Sequence, residues 1–474
     1  LEEILSVGID IGTSTTQVVF SRFTLDDTAG FFAAPNIRIL EKRVVYKSEI
    51  HLTPLRDETR IDGAAIRSIV AGEYEKAGIR PADVATGAVI MTGESARKEN
   101  AAEVLAQISD FAGEFVVSTA GPDLESAIAG KGSGAFAYSA EHECVTVNLD
   151  VGGGTTNLAR FNHGEIDAVG CLDVGGRLIR LDREGAVLSV SPAAALVAEA
   201  IGVTLAPGAR PGTESLRRIT DEMANLLAQL LGLLPRQPLL GKVKTLGSSD
   251  YPADRLPQRI FFSGGVAACM AARTSELFAF GDVGVLLARS IQSVFSALPC
   301  VFEPGRETVR ATVVGAGTYT TTLSGSTISY SNGMFPIKNL PVLKLTSAEQ
   351  TDCLHGGTEL LSARVRWFLR QNDARRLALV LEGVRDPDYR SLQLLARSLS
   401  AVLDGLLAPG EPIVVSVERD MAKALGNAIH RLVPGRKAAV IDSVHVGQND
   451  YLDIGRPLAN GLVVPVVVKT LLFG

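Results

Sequence analysis

Apolar and polar positions alternate in short runs along much of this chain. Val145, Val147 and Leu149 alternate with smaller or polar residues, which predicts a strand packed on one face. Asp150 ends that strand. Gly152, Gly153 and Gly154 then turn the chain, Thr155 and Thr156 follow, and Leu158 and Phe161 resume a second strand. The stretch Val7–Phe20 repeats the pattern. An apolar strand runs to Asp10, a turn carries Gly12, Thr13, Ser14, Thr15 and Thr16, and another strand follows.

Between these hairpins, Asp26–Asn36 reads as a loop and Ile37–Leu52 as strand. Asp62 is placed to cap a helix over Gly63–Ala77, which Gly78 stops. Thr86–Met91 is a short strand; the turn Thr92–Ser95 leads to an Ala-rich helix ending near Gly113; Phe115–Ser118 is another strand. Gly121–Ser139 holds a helix of small residues with a hinge at Gly130–Gly134, suited either to crossing between two half-domains or to lying within one. After the second hairpin come strand Glu165–Cys171, a turn at Asp173–Gly176 and helix Pro192–Ile201. Leu216, Ile219, Met223, Leu226, Leu227 and Leu230 then form the core stripe of a long helix over Thr213–Leu233. Arg236–Gln258 reads as an exposed connection. Ile260–Met270 is strand, Gly264–Gly265 turn and helix start; Gly281–Leu298 holds a further helix. The glycines of Val313–Gly325 read as a strand turn, since Thr320 stands where a G-x-G-x-x-G motif would end. From about Asn332 the rhythm is alternating α and β, with Asp450–Leu458 an acidic turn that suits either a solvated loop or, less readily, a metal site.

Composition removes several classes. The 474 residues suit two or three domains, 46% are hydrophobic and 21% charged, and the net charge is −6 without a long basic run. Nucleic-acid binding is not expected. No two of the five cysteines form C-x-x-C, and no histidine pair has ligand spacing, so zinc and iron–sulfur sites lack support. Leu1–Asp10 has no signal-peptide pattern, and apolar stretches such as Leu462–Val468 are too short to span a bilayer. A soluble cytoplasmic protein is expected.

Both hairpins suggest the same chemistry. Glycine turns let backbone N–H groups approach an anion, threonines add hydroxyl donors, and an Asp at the strand end can hold a hydrated cation beside phosphates. One such turn equally fits a tight hairpin with its hydroxyls in solvent. Two copies with the same Asp-x-Gly lead suit a nucleotide and its metal held between them. Gly264 and Gly265, at a strand's C-terminal end, would let a flat ring lie against the backbone, or would simply start a helix. No Walker loop occurs: Lys131 and Lys242 follow glycines, but neither precedes Ser or Thr.

These pieces resemble, over roughly the first three hundred residues, the actin-like ATPases, which include heat-shock chaperone ATPases and sugar kinases. The matching order is phosphate loop Asp10–Thr16, connecting helix Glu125–Gly134, phosphate loop Asp150–Thr156, adenosine turn Gly264–Gly265 and second connecting helix Gly284–Ser293. The resemblance implies an α/β protein with two ribonuclease-H-like half-domains around a nucleotide cleft, residues 1–140 and 141–299, plus a C-terminal α/β unit, residues 300–474. Within that superfamily the stretches SVGIDIGTSTTQVVFSR, MTGESARKENA, LDVGGGTTN, FFSGGVA, VVGAGTYTTTLSGSTI and GLVVPVVVKTLLF resemble the reactivating factors of ethanolamine ammonia-lyase. That closer resemblance spans essentially the whole chain. It implies a chaperone-like, slow ATPase that uses ATP and Mg2+ to release damaged cobalamin from the lyase, so that adenosylcobalamin can bind. It also implies action in ethanolamine utilisation, in association with a bacterial microcompartment.

The resemblance assigns roles residue by residue. Asp10 would organise magnesium, and Asp150 would position metal-bound and attacking water. Gly12, Thr13, Ser14, Thr15 and Thr16 with Gly152, Gly153, Gly154, Thr155 and Thr156 would hold the phosphates. Gly264 and Gly265 would flank the adenosine. The acid of the first connecting helix falls on Glu125 or Asp123, and the phosphate-contacting lysine of the heat-shock chaperones has no counterpart. A sugar kinase, an actin-like filament protein and a non-hydrolysing scaffold for the lyase are the rival readings. An acyl-CoA dehydratase activase is disfavoured because its cluster needs cysteines that this chain lacks.

Overall fold

The computed structural model describes residues 2–13, 15–28, 37–57, 60–92, 95, 98–108, 111, 117–119, 122–272, 276–319, 321–325, 327–385, 387–447 and 450–470. Ser14, Gly113 and much of the expected loop Asp26–Asn36 therefore lie outside the described residues.

The first sheet opens with strands β1 (Glu2–Ile11), β2 (Thr15–Asp27) and β3 (Ile37–Lys47), an antiparallel meander, with β4 (His51–Leu52) against β2. Helix α1 (Gly63–Ala77) starts where Asp62 accepts a hydrogen bond from Ala65 N–H and stops at Gly78, whose φ is 67°. Strand β5 (Val84–Met91), helix α2 (Ala101–Ile108) and strand β6 (Val117–Thr119) complete the unit, with β5 parallel to β1 and β6 parallel to β5. Val7, Ile9, Phe20, Ile66, Val70 and Val104 fill the layer between sheet and helices.

Helix α3 (Pro122–Gly132) leads, through Gly134 at φ 96°, into α4 (Ala135–Glu141). The second sheet begins with the meander β7 (Val145–Val151), β8 (Thr156–Asn162) and β9 (Glu165–Leu172). A small ribbon, β10 (Ile179–Leu181) and β11 (Val187–Val190), precedes helices α5 (Pro192–Ala200), α6 (Gly212–Leu230) and α7 (Pro238–Lys242). Strand β12 (Arg259–Ser263), helices α8 (Gly264–Ala271) and α9 (Gly284–Ser296), strand β13 (Phe302–Pro304) and helix α10 (Ala311–Tyr319) follow. The order β9-β8-β7-β12-β13 repeats β3-β2-β1-β5-β6, meander antiparallel and outer strands parallel in both.

Several sequence expectations are corrected here. The second sheet continues beyond residue 299, because β13 pairs with β12. Helix α9 packs on α6 and α8 inside the second half. The helix that returns to the first half is α10, in the segment expected to be a strand turn. Its glycines are there for contact: a methyl on Gly315 would overlap the carbonyl oxygen of Ile128 on α3, and one on Gly8 of β1 would stand 2.7 Å from Gly317 N. The supposed exposed connection before β12 contains α7 and buries Leu240, Val243 and Tyr251.

The last sheet runs β14-β21-β20-β16-β17-β18-β19-β15. These are β14 (Thr321–Leu323), β15 (Ser329–Tyr330), β16 (Ile337–Lys344), β17 (Ala378–Leu381), β18 (Ile413–Val417), β19 (Ala438–Asp442), β20 (Asp450–Ile454) and β21 (Pro465–Thr470). Strands β16 to β19 are parallel. The intervening helices are α11 (Ser347–Leu354), α12 (Glu359–Gln371), α13 (Tyr389–Leu406) and α14 (Ala422–Leu432). Their apolar sides, such as Val365, Leu399 and Leu425, cover one face of the sheet. The expected solvated turn at Asp450 is strand β20, and Asp450 and Asp453 are buried acceptors of the Gly447 and Asn339 N–H groups. Among the described residues no helix is long and apolar enough to cross a membrane.

Candidate functional site: two Asp-bearing turns

Equivalent positions of the two meanders carry the two acids. Asp10, near the end of β1, sits opposite Gln17 on β2 and beside Ile90 on β5. Asp150, near the end of β7, sits opposite Asn157 on β8 and beside Ser263 on β12. Both turns close alike: Gly12 N–H donates to Thr15 O at 2.9 Å, and Gly152 N–H to Thr155 O at 2.9 Å. Each Asp-x-Gly lead thus puts a carboxylate at the root of a glycine turn.

Both carboxyls are buried, 8% exposed for Asp10 and 7% for Asp150. Burial raises Asp10 from 3.8 to about 7; a hydrogen bond from Thr92 Oγ1 (3.0 Å) opposes this, and the Asp150 charge adds to it. The last effect establishes that the two halves bring the acids within electrostatic reach of one another. Burial likewise raises Asp150 to about 6, against hydrogen bonds from Ser263 Oγ (2.5 Å) and from Thr312 at the start of α10. Two enclosed acids, with the Asp150 charge opposing ionisation of Asp10, form a site that a cation would relieve.

Whether magnesium suits these residues can be tested on neighbouring oxygens. Gln17 Oε1 and Asn148 Oδ1 are buried acceptors without a hydrogen-bond partner, and Asn148 Nδ2 donates to the same Ser263 that serves Asp150. Acceptors beside carboxylates match water bound to a hard cation. Among the described residues no group of three His, Cys, Asp or Glu forms a protein-only cage. Magnesium is commonly held by one or two carboxylates completed by phosphate oxygens and water, so the residues fit.

The other expected residues divide into cleft and brace. Thr13 is exposed, and Gly12, Thr15, Gly152, Gly153, Gly154 and Thr155 are partly exposed at the turns. Thr16 and Thr156 are fully buried. The Thr16 hydroxyl meets that of Thr53 at 3.1 Å, and Thr156 Oγ1 donates to Val174 O at 2.7 Å. Thr53 and Ser95 hydroxyls both donate to Gly12 O, at 2.8 and 2.9 Å. Gly264 has φ 88°, donates to Thr308 O at 3.0 Å, and lies so close to Val151 that a methyl would overlap its carbonyl oxygen. Gly265 faces open space beside it.

Glu125 and Asp123 both lie in the first turn of α3. Asp123 accepts from Ser249 N–H (3.2 Å) and Ser249 Oγ (2.5 Å). The charges of Glu125, Asp173 and Asp123 all act on Cys171 of β9, whose thiol burial and these charges push upward. Cys171 pairs with Asn157 on β8, which in turn sits opposite Asp150 on β7. Sequence reasoning missed Thr92, Ser263 and Thr312 as partners of the acids. Their signals, a Ser or Thr at a strand end or helix start, are too common to single out.

A duplicated meander with an Asp-bearing glycine turn in each copy, the two acids within electrostatic reach, defines the actin-like ATPase fold. The Ethanolamine utilisation protein EutA family model matches residues 2–474, and the chain belongs to that family. It is 37% identical over 478 positions to Ethanolamine ammonia-lyase reactivase EutA of Salmonella typhimurium, covering 99% of each chain. The protein of the same name from Escherichia coli is 37% identical over 475 positions, again with 99% of each covered. Among solved structures, the Aquifex aeolicus PPX-GPPA enzyme aligns with 66% of this chain and 99% of its own, at 14% identity and TM-score 0.41. Ethanolamine utilization protein EutJ from Carboxydothermus hydrogenoformans aligns with 67% of this chain and 90% of its own, at 15% identity and TM-score 0.36.

Proposed function

We propose that this protein is a chaperone-like, magnesium-dependent ATPase that reactivates ethanolamine ammonia-lyase, releasing damaged cobalamin so that adenosylcobalamin can bind. The observation that carries the ATPase part is the pair of buried carboxylates, Asp10 and Asp150, at the roots of twin glycine turns. The lyase as partner is drawn from the full-length relatives named as its reactivases.

The chain's own groups supply most of the chemistry. Backbone N–H groups of both turns, with Thr13, Thr15 and Thr155, bind the phosphates. Asp150 orients the attacking water in line with the terminal phosphorus, and Ser263 and Thr312 hold that carboxylate in place. Magnesium, when bound by Asp10 and Asp150, neutralises charge developing on the phosphate oxygens. Thr312 belongs to α10, and α10 packs on α3 and β1. Loss of the terminal phosphate thus changes the surroundings of the helix that ties one half to the other, and the halves rotate about α3 and α10. The units built on β1–β6 and on β7–β13 act as the two jaws, tied by α3 and α10, with the remaining α/β unit attached. The rotation strains the bound lyase and loosens its cobalamin site, in the cytoplasm beside or within a microcompartment.

The experiment is reactivation of lyase that hydroxocobalamin has inactivated. Activity should return only with this protein, adenosylcobalamin, ATP and magnesium together. Recovery without ATP, or no recovery with all four, would refute the proposal.

A further inference from the structure

The segment Asp173–Arg177 runs directly behind the second glycine turn. Gly176 N–H donates to Gly152 O at 3.0 Å, and Arg177 N–H donates to Gly153 O at 2.7 Å. The arginine backbone is thereby tied to the turn that would hold phosphate. Its side chain lies along Gly153: a methyl on that glycine would stand 3.2 Å from Cδ and 3.3 Å from Cγ of Arg177. The missing Cβ leaves the arginine stem its path along the turn.

The arginine side chain is 42% exposed, and its Nε lies 3.8 Å from Asp282 Oδ2, beyond hydrogen-bond range. Asp282 is itself buried and accepts from Gly284 N–H at 2.8 Å, at the start of α9. Burial raises the pKa of Asp282, against the Gly284 N–H bond and the charges of Arg177 and Arg180, and the Arg180 backbone bridges to that residue. Asp282 therefore keeps a cation nearby if Arg177 turns elsewhere. A triphosphate beside Asp10 and Asp150 gathers more negative charge than one divalent cation offsets, and the planar guanidinium matches phosphate oxygens in pairs.

We propose that Arg177 is the phosphate-binding cation of this cleft, exchanging its loose contact with Asp282 for the terminal phosphate oxygens of ATP. The proposal deepens the ATPase reading and rests on it. It also links the terminal phosphate to α9, since Asp282 sits at that helix's start.

The test compares binding of fluorescent ATP and ADP analogues, with magnesium, to the full chain and three variants. Arg177→Gln keeps the stem along Gly153 and removes the charge. It should weaken ATP about tenfold or more, as expected for a charged hydrogen bond, and ADP much less. Arg177→Lys should restore part of the ATP affinity. Asp282→Asn, which removes the competing carboxylate charge, should tighten ATP. Equal ATP and ADP affinities in wild type and Arg177→Gln, with matching thermal midpoints, would overturn the proposal while leaving the ATPase reading intact. A wild-type protein that binds neither nucleotide would overturn both.

Discussion

Asp150→Asn should make the nucleotide-free protein more heat-stable at pH 8, although it removes a residue of the cleft. The Asp150 carboxyl is 7% exposed, and burial lifts its pKa from 3.8 to about 6. In the folded state it therefore keeps its proton longer than in the unfolded chain. Its contribution is fully present below about pH 4, is lost as pH rises through about 6, and stays lost above that. At about 1.4 kcal/mol per pH unit, the ionised form costs about 3 kcal/mol at pH 8. Asparagine carries no such cost, but it replaces one carboxylate oxygen that accepts from Ser263 or Thr312, a loss of about 1 kcal/mol. The net gain is about 2 kcal/mol at pH 8, which for a chain of this size raises the melting midpoint by about 2 °C. At pH 4 the same variant should melt slightly below wild type. Release of Asp10 from the Asp150 charge acts in the same direction at high pH. Thermal melts from pH 4 to 8, without nucleotide or magnesium, measure the difference. A variant that melts below wild type by the same margin at both ends would refute the argument from burial.

Other consequences are equally direct. Asp10→Asn should reduce magnesium-dependent ATP turnover by about a hundredfold or more while the chain stays folded, checked by phosphate release and circular dichroism. Gly315→Val should destabilise the protein by about 3 kcal/mol in urea, because the added carbons overlap Ile128 O where α10 meets α3. Asp62→Ala should cost about 1 kcal/mol, through loss of the α1 cap, and leave nucleotide affinity unchanged by fluorescence titration.

The two glycine turns were legible because their signals are local. An Asp at the end of an apolar strand, then glycine, then threonine, is decided within a few residues, and so is the Asp62-to-Gly78 helix. The misread segments fail for the opposite reason. Gly315 and Gly317 look like turn glycines until α3 and β1 are set against them. Asp450 and Asp453 look solvated until backbone N–H groups from Gly447 and Asn339 are found bonded to them. Asp123 looks like any acid in a helix's first turn until Ser249 is found bonded to it.

Neighbouring residues alone specify two strand–turn–strand units able to cradle phosphate and the rhythm of a separate α/β unit. It takes the folded chain to bring Asp10 and Asp150, 140 positions apart, into one electrostatic environment, and to make α10 rather than α9 the tie between the halves. The physical reason is range. Turn chemistry and strand alternation act between chain neighbours, whereas desolvation, carboxylate coupling and close helix packing depend on which distant segments meet.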